Sequence, residues 1–192
     1  MLKICVLTLF SLLSVAADCA GTSNEGASGG QFLRIGVGAK ASALGESASA
    51  ISGVQGIFYN PAGLSGVTDM ELYFSQVKWI LDTNYSSLAF AKKAGGGVYA
   101  LGINYLSASP VDKYDKFGTR LSGTYSAADM AVTLGYGSKL EDNTDFGLNV
   151  KYISSRLDTE SATALAADAG IIYAAIPGEL AFGFALQNFG GK

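Results

Sequence analysis

The chain contains no histidine, and its only two cysteines, Cys5 and Cys19, lie within the first twenty residues. Histidine is the commonest general base and the commonest metal ligand in proteins. Two cysteines so near the start can build neither a disulfide framework nor a four-cysteine zinc site in the rest of the chain. We therefore expect no catalytic residues, no cofactor, no metal site and no enzymatic activity.

Charge is scarce as well: 15% of the residues are charged, and 13 Lys and Arg against 16 Asp and Glu give a net charge of -3. The cations are scattered, so the sequence offers no basic face for nucleic acid. By contrast, 49% of the 192 residues are apolar, and ten Tyr, ten Phe and 25 Gly are present. This composition is typical of a folded chain and argues against disorder.

The N-terminus carries the pattern of a secretory signal peptide. Lys3 precedes an apolar run over residues 4–15, which is followed by Ala16 and Ala17. The run is shorter than the ~20 residues of a spanning helix, so we expect a signal peptide over residues 1–17 that is removed on export. A lipid-modified Cys19 is the alternative, although Asp18 fits such a site poorly. Residues 18–30 are small and polar and predict a flexible N-terminus.

Residues 31–67 are rich in Ala, Gly and Ser and show neither strict alternation nor a helical stripe. They predict short helical turns and loops packed as one unit. Residues 36–41 (GVGAKA) match a variant of the dinucleotide-binding fingerprint. No acidic residue lies about twenty positions on and no alternating βα pattern follows, so we expect no dinucleotide site.

Residues 68–192 alternate large apolar side chains with small or polar ones. In residues 98–106, one face carries Tyr99, Leu101, Ile103 and Tyr105, and the other carries small residues and Asn104. The alternation recurs over residues 70–79, 85–91, 130–136, 146–152, 165–173 and 180–187. It predicts about seven antiparallel strands in up-and-down order. Short turns are expected at 92–96, 140–143 and 175–178, and longer polar loops at 107–126 and 154–161.

The composition of the two strand faces favours a transmembrane β-barrel. A soluble sandwich would place Lys, Glu and Thr on the face opposite the large apolar residues, but Gly, Ala, Ser and Asn stand there. An apolar face with aromatic residues near its ends suits lipid, and a small, polar face suits a lumen. A soluble exported β-sheet binding protein is the alternative. Five polar residues fall on the expected lumen face, where they either line a solute path or are hydrated interior residues: Asn104, Asn149, Lys151, Asp168 and Gln187.

The sequence resembles the N-terminal part of the PorV/PorQ family, which is related to the FadL-type outer-membrane transporters of hydrophobic compounds. The resemblance rests on residues 29–41 (GGQFLRIGVGAKA), on 43–45 (ALG) and on YNPAGL at 59–64, and it extends to 187–190 (QNFG). It implies a barrel of about fourteen strands with an N-terminal hatch inside the lumen. The hatch would span residues 31–67 and carry the junction motif Asn60, Pro61, Ala62, Gly63 and Leu64. Because an Asn-Pro pair starts a turn, we expect this motif to be structural and not to contact a ligand.

The same resemblance sets the expected function. FadL-type relatives pass long-chain fatty acids through the lumen, whereas PorV-type relatives serve type IX protein secretion. We expect an outer-membrane protein of a Gram-negative-type bacterium, in contact with lipid and either hydrophobic small molecules or secretion-system proteins. Residues 68–192 hold half of the implied strands, so the resemblance predicts that the sequence is either the N-terminal half of a longer protein or a truncated gene product.

Overall fold

A computed structural model describes residues 30–78 and 82–191. The predicted signal peptide, Cys19 and Trp79 lie outside these residues. The described chain is mostly antiparallel β-structure, with a helical segment before the first strand. We call residues 31–67 the hatch segment.

The hatch segment contains four short helices. They are the 3₁₀ helices η1 (Gln31–Arg34) and η2 (Pro61–Gly66) and the α-helices α1 (Ala39–Ala43) and α2 (Gly56–Tyr59). Gly38 lies between η1 and α1, and Gly45 and Gly53 lie between α1 and α2. All three have positive φ, which keeps each of these helices short. This is the short helical structure predicted from the sequence. No helix within the described residues is long and apolar enough to cross a membrane.

Within the residues that the structure describes, nine strands follow the hatch segment. They are β1 (Met70–Lys78), β2 (Asn84–Ala94), β3 (Gly97–Ser107), β4 (Val111–Tyr114), β5 (Arg120–Tyr125), β6 (Ala127–Glu141), β7 (Thr144–Leu157), β8 (Glu160–Ile176) and β9 (Leu180–Gly191). Seven form one sheet in the order β1-β2-β3-β6-β7-β8-β9, in which every neighbouring pair is antiparallel. The predicted seven-stranded, up-and-down sheet is confirmed. The sheet is open, with β1 and β9 as its edges.

Two of the predicted connections differ from the structure. The polar segment 107–126 contains a separate hairpin, formed by β4 and β5, which its mixed polar and aromatic sequence did not reveal. The prediction of a longer loop at 154–161 is wrong, because β7 and β8 continue to a two-residue turn at Asp158 and Thr159. We call the end of the sheet with the β2–β3, β6–β7 and β8–β9 turns the turn end. The β4–β5 hairpin lies at the opposite end, where Lys113 pairs with Asp158 at 2.6 Å.

The two faces of the sheet have different surroundings. The inner face carries the small and polar residues, and the hatch segment packs against it. The outer face carries the large apolar residues, and no described segment covers it. Leu72 is 72% exposed and Leu134 is 62% exposed, and many other large side chains of this face are exposed too: Phe74, Leu88, Tyr99, Leu101, Tyr105, Leu148, Val150, Tyr152, Phe182 and Phe184.

Candidate functional site: the covered inner face

Glycines form the part of the inner face on which the hatch segment lies. Gly137, Gly147 and Gly170 are direct cross-strand neighbours on β6, β7 and β8. A Cβ atom at Gly147 would overlap the backbone of Pro61 and Ala62, and one at Gly170 would overlap the Asn60 side chain. The missing side chains therefore allow the hatch backbone to touch the sheet directly.

Asn60 connects the hatch segment to the sheet at this place. Its Oδ1 accepts the backbone N–H of Ala62 at 3.0 Å and caps η2, where Pro61 occupies the first turn. Its Nδ2 lies within donating distance of the Ser49 carbonyl at 2.6 Å, and of sheet carbonyls at Ile171 (3.2 Å) and Phe184 (3.3 Å). Asn60 is fully buried, as are its neighbours in the predicted junction motif: Pro61, Ala62, Gly63 and Leu64.

A buried ion pair lies next to the glycines. Lys151 Nζ is 2.8 Å from Asp168 Oδ2, and the two side chains are only 5% and 0% exposed. Lys151 stands opposite Ala166, so it reaches Asp168 diagonally across β7 and β8. Removing two charges from water costs several kcal/mol per ion, which only close pairing and further hydrogen bonds can offset.

Three further hydrogen bonds to Asp168 and Lys151, made by Asn149 and Asn188, supply this compensation, and Asn149 also bonds to the hatch segment. Asn149 Nδ2 donates to Asp168 Oδ2 at 2.8 Å and to the Ile57 carbonyl of the hatch segment at 2.9 Å. Asn188 donates its backbone N–H to Asp168 Oδ1 at 2.8 Å and accepts from Lys151 Nζ at 3.0 Å. Among the described residues, Asn149 Oδ1 is the one buried side-chain oxygen or nitrogen without a hydrogen-bond partner.

A β-bulge positions Asn188. Ala167 pairs with Phe189 but Ala169 pairs with Leu186, so two residues of β9, Gln187 and Asn188, face Asp168. Asn188 has a φ of 58°, in the left-handed region that Asn tolerates better than most residues. The bulge turns both polar side chains toward the hatch segment and the ion pair. Gln187 is itself exposed, but its Nε2 donates to the carbonyls of Phe58 (3.1 Å) and Tyr59 (2.6 Å).

Asn104, the fifth residue predicted for the lumen face, belongs to a second buried polar group. Its Nδ2 donates to Tyr85 Oη and to Ser87 Oγ, each at 2.9 Å. A cavity of about 10 Å³ lies beside it, bounded also by Thr133 and Lys151. That volume is about enough for one water molecule. The residues predicted to line a lumen thus meet the hatch segment and one water-sized space.

The hatch segment also has its own internal hydrogen bonds. The Tyr59 hydroxyl accepts the Val37 N–H at 2.6 Å and donates to Glu46 Oε2 at 2.8 Å. Burial, together with the hydrogen bond to the Glu46 carboxylate, raises the pKa of Tyr59 well above its usual 10.0. The phenol therefore stays neutral and remains a donor at physiological pH. On the sheet side, Glu71 Oε2 accepts the Val54 N–H at 2.8 Å.

Within residues 30–78 and 82–191, no group of three Asp, Glu or other ligating residues is placed to hold a metal ion. The fingerprint-like residues 36–41 form a bend and the first turn of α1. A side chain at Gly36 would meet the Glu46 carboxylate, whose charge disfavours a phosphate at this position.

Sequence reasoning missed several residues of this site. Asn188 and Tyr85 make partly buried or buried side-chain hydrogen bonds, and Tyr59 and Glu46 share an exposed one. The direct opposition of Asn149 and Asp168 depends on the strand register, so it is known only once β7 and β8 are aligned.

No model of a known protein family matches the chain, and a search of curated proteins found no match either.

Proposed function

We propose that this chain belongs to an outer-membrane β-barrel of the FadL-like, PorV/PorQ kind, which mediates passage of hydrophobic solutes such as long-chain fatty acids. One observation carries the proposal: the large apolar face of the sheet is exposed, whereas the small and polar face is buried. In water this arrangement is unfavourable, since each large apolar side chain left exposed forgoes about 1.5–3 kcal/mol of burial. In a bilayer the same face meets hydrocarbon.

The dimensions of the strands support a membrane position. A spanning β-strand needs about 9–11 residues, and β6, β7 and β8 contain 15, 14 and 17. On β3, Tyr99 and Tyr105 stand six residues apart on the outer face, which corresponds to about 20 Å along the strand. Tyr136 packs against Tyr99 with ring centroids 5.2 Å apart. Membrane barrels carry aromatic side chains near both bilayer interfaces, and the two tyrosines of β3 have a spacing of this kind along the strand.

Closure of the sheet is part of the proposal. Unpaired N–H and C=O groups along a strand edge cost several kcal/mol each in hydrocarbon, so β1 and β9 must pair in the membrane. The enclosed inner face would then be a lumen that the hatch segment fills. Passage of a solute would require the hatch segment to leave the glycine-lined part of β6, β7 and β8.

A role in protein secretion or surface assembly is the second candidate, because the β4–β5 hairpin offers a surface for it. The hairpin is held by the Lys113–Asp158 pair and by Lys113 lying 4.5 Å from the centre of the Tyr125 ring. Its tip exposes Phe117 by 81%, with Tyr114 exposed beside it. Exposed aromatic residues on an ordered hairpin are typical of protein-binding surfaces.

Fractionation and gel mobility test the membrane proposal. Cells expressing the chain, alone and with any natural extension, are separated into periplasmic and outer-membrane fractions and run with and without heating. The proposal predicts an outer-membrane protein whose unheated band migrates differently, because a closed barrel resists detergent until heated. Recovery in the aqueous periplasmic fraction without a heat shift would contradict it and favour a soluble exported binding protein.

Uptake and crosslinking separate the two candidate functions. Deletion of the gene should lower uptake of labelled long-chain fatty acid, and re-expression should restore it. Unchanged uptake, together with crosslinking of a secretion component to a photoreactive residue at Phe117, would overturn transport in favour of secretion.

A further inference from the structure

A second cavity lies at the turn end of the inner face, away from the buried ion pair. Its volume is about 180 Å³, smaller than the ~300–1,000 Å³ of pockets for drug-sized ligands. It is bounded by Ser65 of η2 and by residues of β2, β3, β6 and the β2–β3 turn: Lys93, Gly95, Gly96, Gly97, Val98, Gly137, Ser138 and Lys139. Such a space suits a small solute.

The charged residues that line this cavity are two lysines, Lys93 and Lys139. Asp69, whose carbonyl accepts the Lys93 backbone N–H, and Asp145, which opposes Lys139 on β7, are not part of the lining. In the described part of the chain, neither lysine has a carboxylate oxygen within 4 Å; the ion pairs there involve Lys113, Arg120 and Lys151. In a protein with a net charge of -3, two unpaired cations around one cavity form a local site for an anion.

The strand register explains how the two lysines share the cavity. Lys93 opposes Val98 on β3, and Val98 opposes Gly137 on β6, two residues before Lys139. β2 and β6 are therefore separated by β3 alone, a distance of about 10 Å. Val98 of β3 lies between the two strands and also borders the cavity. Ser65 of η2 borders it from the hatch segment.

We propose that this cavity binds a small phosphate-class oxoanion, held between the ammonium groups of Lys93 and Lys139. Ammonium groups bind phosphate oxygens through charge-assisted hydrogen bonds. The site requires neither a bilayer nor a closed barrel, because its lining comes from β2, β3, β6 and η2. Free phosphate and the phosphoryl group of a lipid share this chemistry.

The structure contains a matched control for the two lysines. Lys92 is adjacent to Lys93 on β2, but it points to the outer face and opposes Tyr99. Lys92→Gln removes the same charge from the same strand without touching the cavity. All three lysines are exposed, so none of these substitutions should disturb folding.

The test is a titration of the full chain in a non-ionic detergent at constant ionic strength, followed by NMR of the backbone amides of residues 95–97. Inorganic phosphate and dihexanoyl phosphatidate are titrated separately. We expect saturable shifts, with affinity reduced about tenfold by Lys93→Gln and by Lys139→Gln, and less than twofold by Lys92→Gln. Lys93→Arg and Lys139→Arg should retain binding.

The two titrations also identify the source of the anion. Saturation by inorganic phosphate alone indicates a free oxoanion, and saturation by the phosphatidate as well extends the site to lipid headgroups. Absence of saturable shifts with both probes would overturn the proposal. An equal loss of affinity in Lys92→Gln would overturn it too, because the binding would then be unspecific attraction to the turn end.

Discussion

The two faces of the seven-stranded sheet are made by the same strands, yet they carry opposite side chains in opposite surroundings. On β6, Ala131 and Thr133 are buried beneath the hatch segment, whereas the next residue, Leu134, points to the outer face and is 62% exposed. In a soluble sheet the larger side chain would be the buried one. The difference shows that the hatch segment covers the small and polar groups, whereas no described segment covers the large apolar ones.

The inner face is held by polar contacts whose geometry is specific. Asn60, Asn149, Lys151 and Asp168 together connect the hatch segment, β7, β8 and β9. All four side chains are buried. Removing one of them leaves the polar group of its partner buried without a hydrogen bond, which destabilises the fold. The exposed apolar side chains of the outer face, such as Leu72 and Leu134, are not held by polar contacts of this kind. Substitutions on the inner face should therefore destabilise the protein by breaking polar contacts. Substitutions on the outer face should change stability through the water or lipid that this face meets.

Breaking the buried ion pair should have the largest effect. Lys151→Met leaves the Asp168 carboxylate buried without its cation, so we expect unfolding to become easier by about 3–5 kcal/mol. Lys113→Met breaks the partly exposed pair with Asp158, and we expect a loss of only about 0–1 kcal/mol. Chemical denaturation of both variants in the same detergent measures the difference. Equal losses in the two variants would show that Lys151 is not enclosed.

A charge on the outer face should act only in lipid. Leu134→Arg places a guanidinium near the middle of β6, and we expect a loss of about 2–4 kcal/mol in a bilayer. Phe117→Arg at the tip of the β4–β5 hairpin serves as control, with an expected change within about 0.5 kcal/mol. Denaturant unfolding from phospholipid vesicles gives both values. A Leu134→Arg variant as stable as the control would indicate an aqueous outer face.

Adding a side chain between the sheet and the hatch segment should have the next largest effect on stability. Gly147→Ala puts a Cβ against the backbone of Pro61 and Ala62, and we expect a loss of about 1–3 kcal/mol. At Gly96 an added Cβ meets nothing within 4 Å, so Gly96→Ala should change stability by less than about 0.5 kcal/mol. Hydrogen exchange of the α2 and η2 amides reports whether the hatch segment loosens. Unchanged exchange in Gly147→Ala would mean that the two surfaces are not in contact.

Acid should weaken the turn of the β4–β5 hairpin, and the effect should be small. Hydrogen bonds from the backbone N–H groups of Thr119 and Phe117 lower the pKa of Asp115 below its usual 3.8. The folded turn thus favours the carboxylate. Its stabilising effect is complete above the usual pKa and disappears as the pH falls through the lowered value.

The acid effect can be followed by exchange of the Thr119 amide across this pH range. Protection should fall on acidification in the unmodified chain. In Asp115→Asn, protection should be lower from the outset and largely independent of pH. A pH dependence that persists in the variant would assign the effect to another group.

Much of the architecture follows from the sequence, because the period-two pattern is local. Tyr99, Leu101, Ile103 and Tyr105 alternate with small residues, and this alone predicts a strand and its two faces. The short helices before Met70 follow from the density of Gly and Ala. The same pattern does not report strand length beyond its apolar part, which is why the extension of β7 and β8 to the turn at Asp158 was missed.

The site was less accessible to sequence reasoning for a physical reason. That Asn149, Lys151 and Asp168 share the inner face follows from alternation, but their pairing depends on the register of β7 against β8. The part played by Asn188 depends further on the bulge in β9, which changes the face that its side chain occupies. Register and bulges are set by contacts between distant residues, so no local pattern contains them.

Spin-label accessibility along β6 tests most directly whether the outer face meets lipid. Cys5 and Cys19 are replaced by Ser, and single labels are placed at successive positions 130–137 of the chain in phospholipid vesicles. We expect the accessibility of the labels to alternate from one position to the next. Labels at 130, 132, 134 and 136 should be reached by oxygen and not by a water-soluble nickel chelate, and labels at the odd positions by neither. Access of the nickel chelate to the even positions would contradict the account.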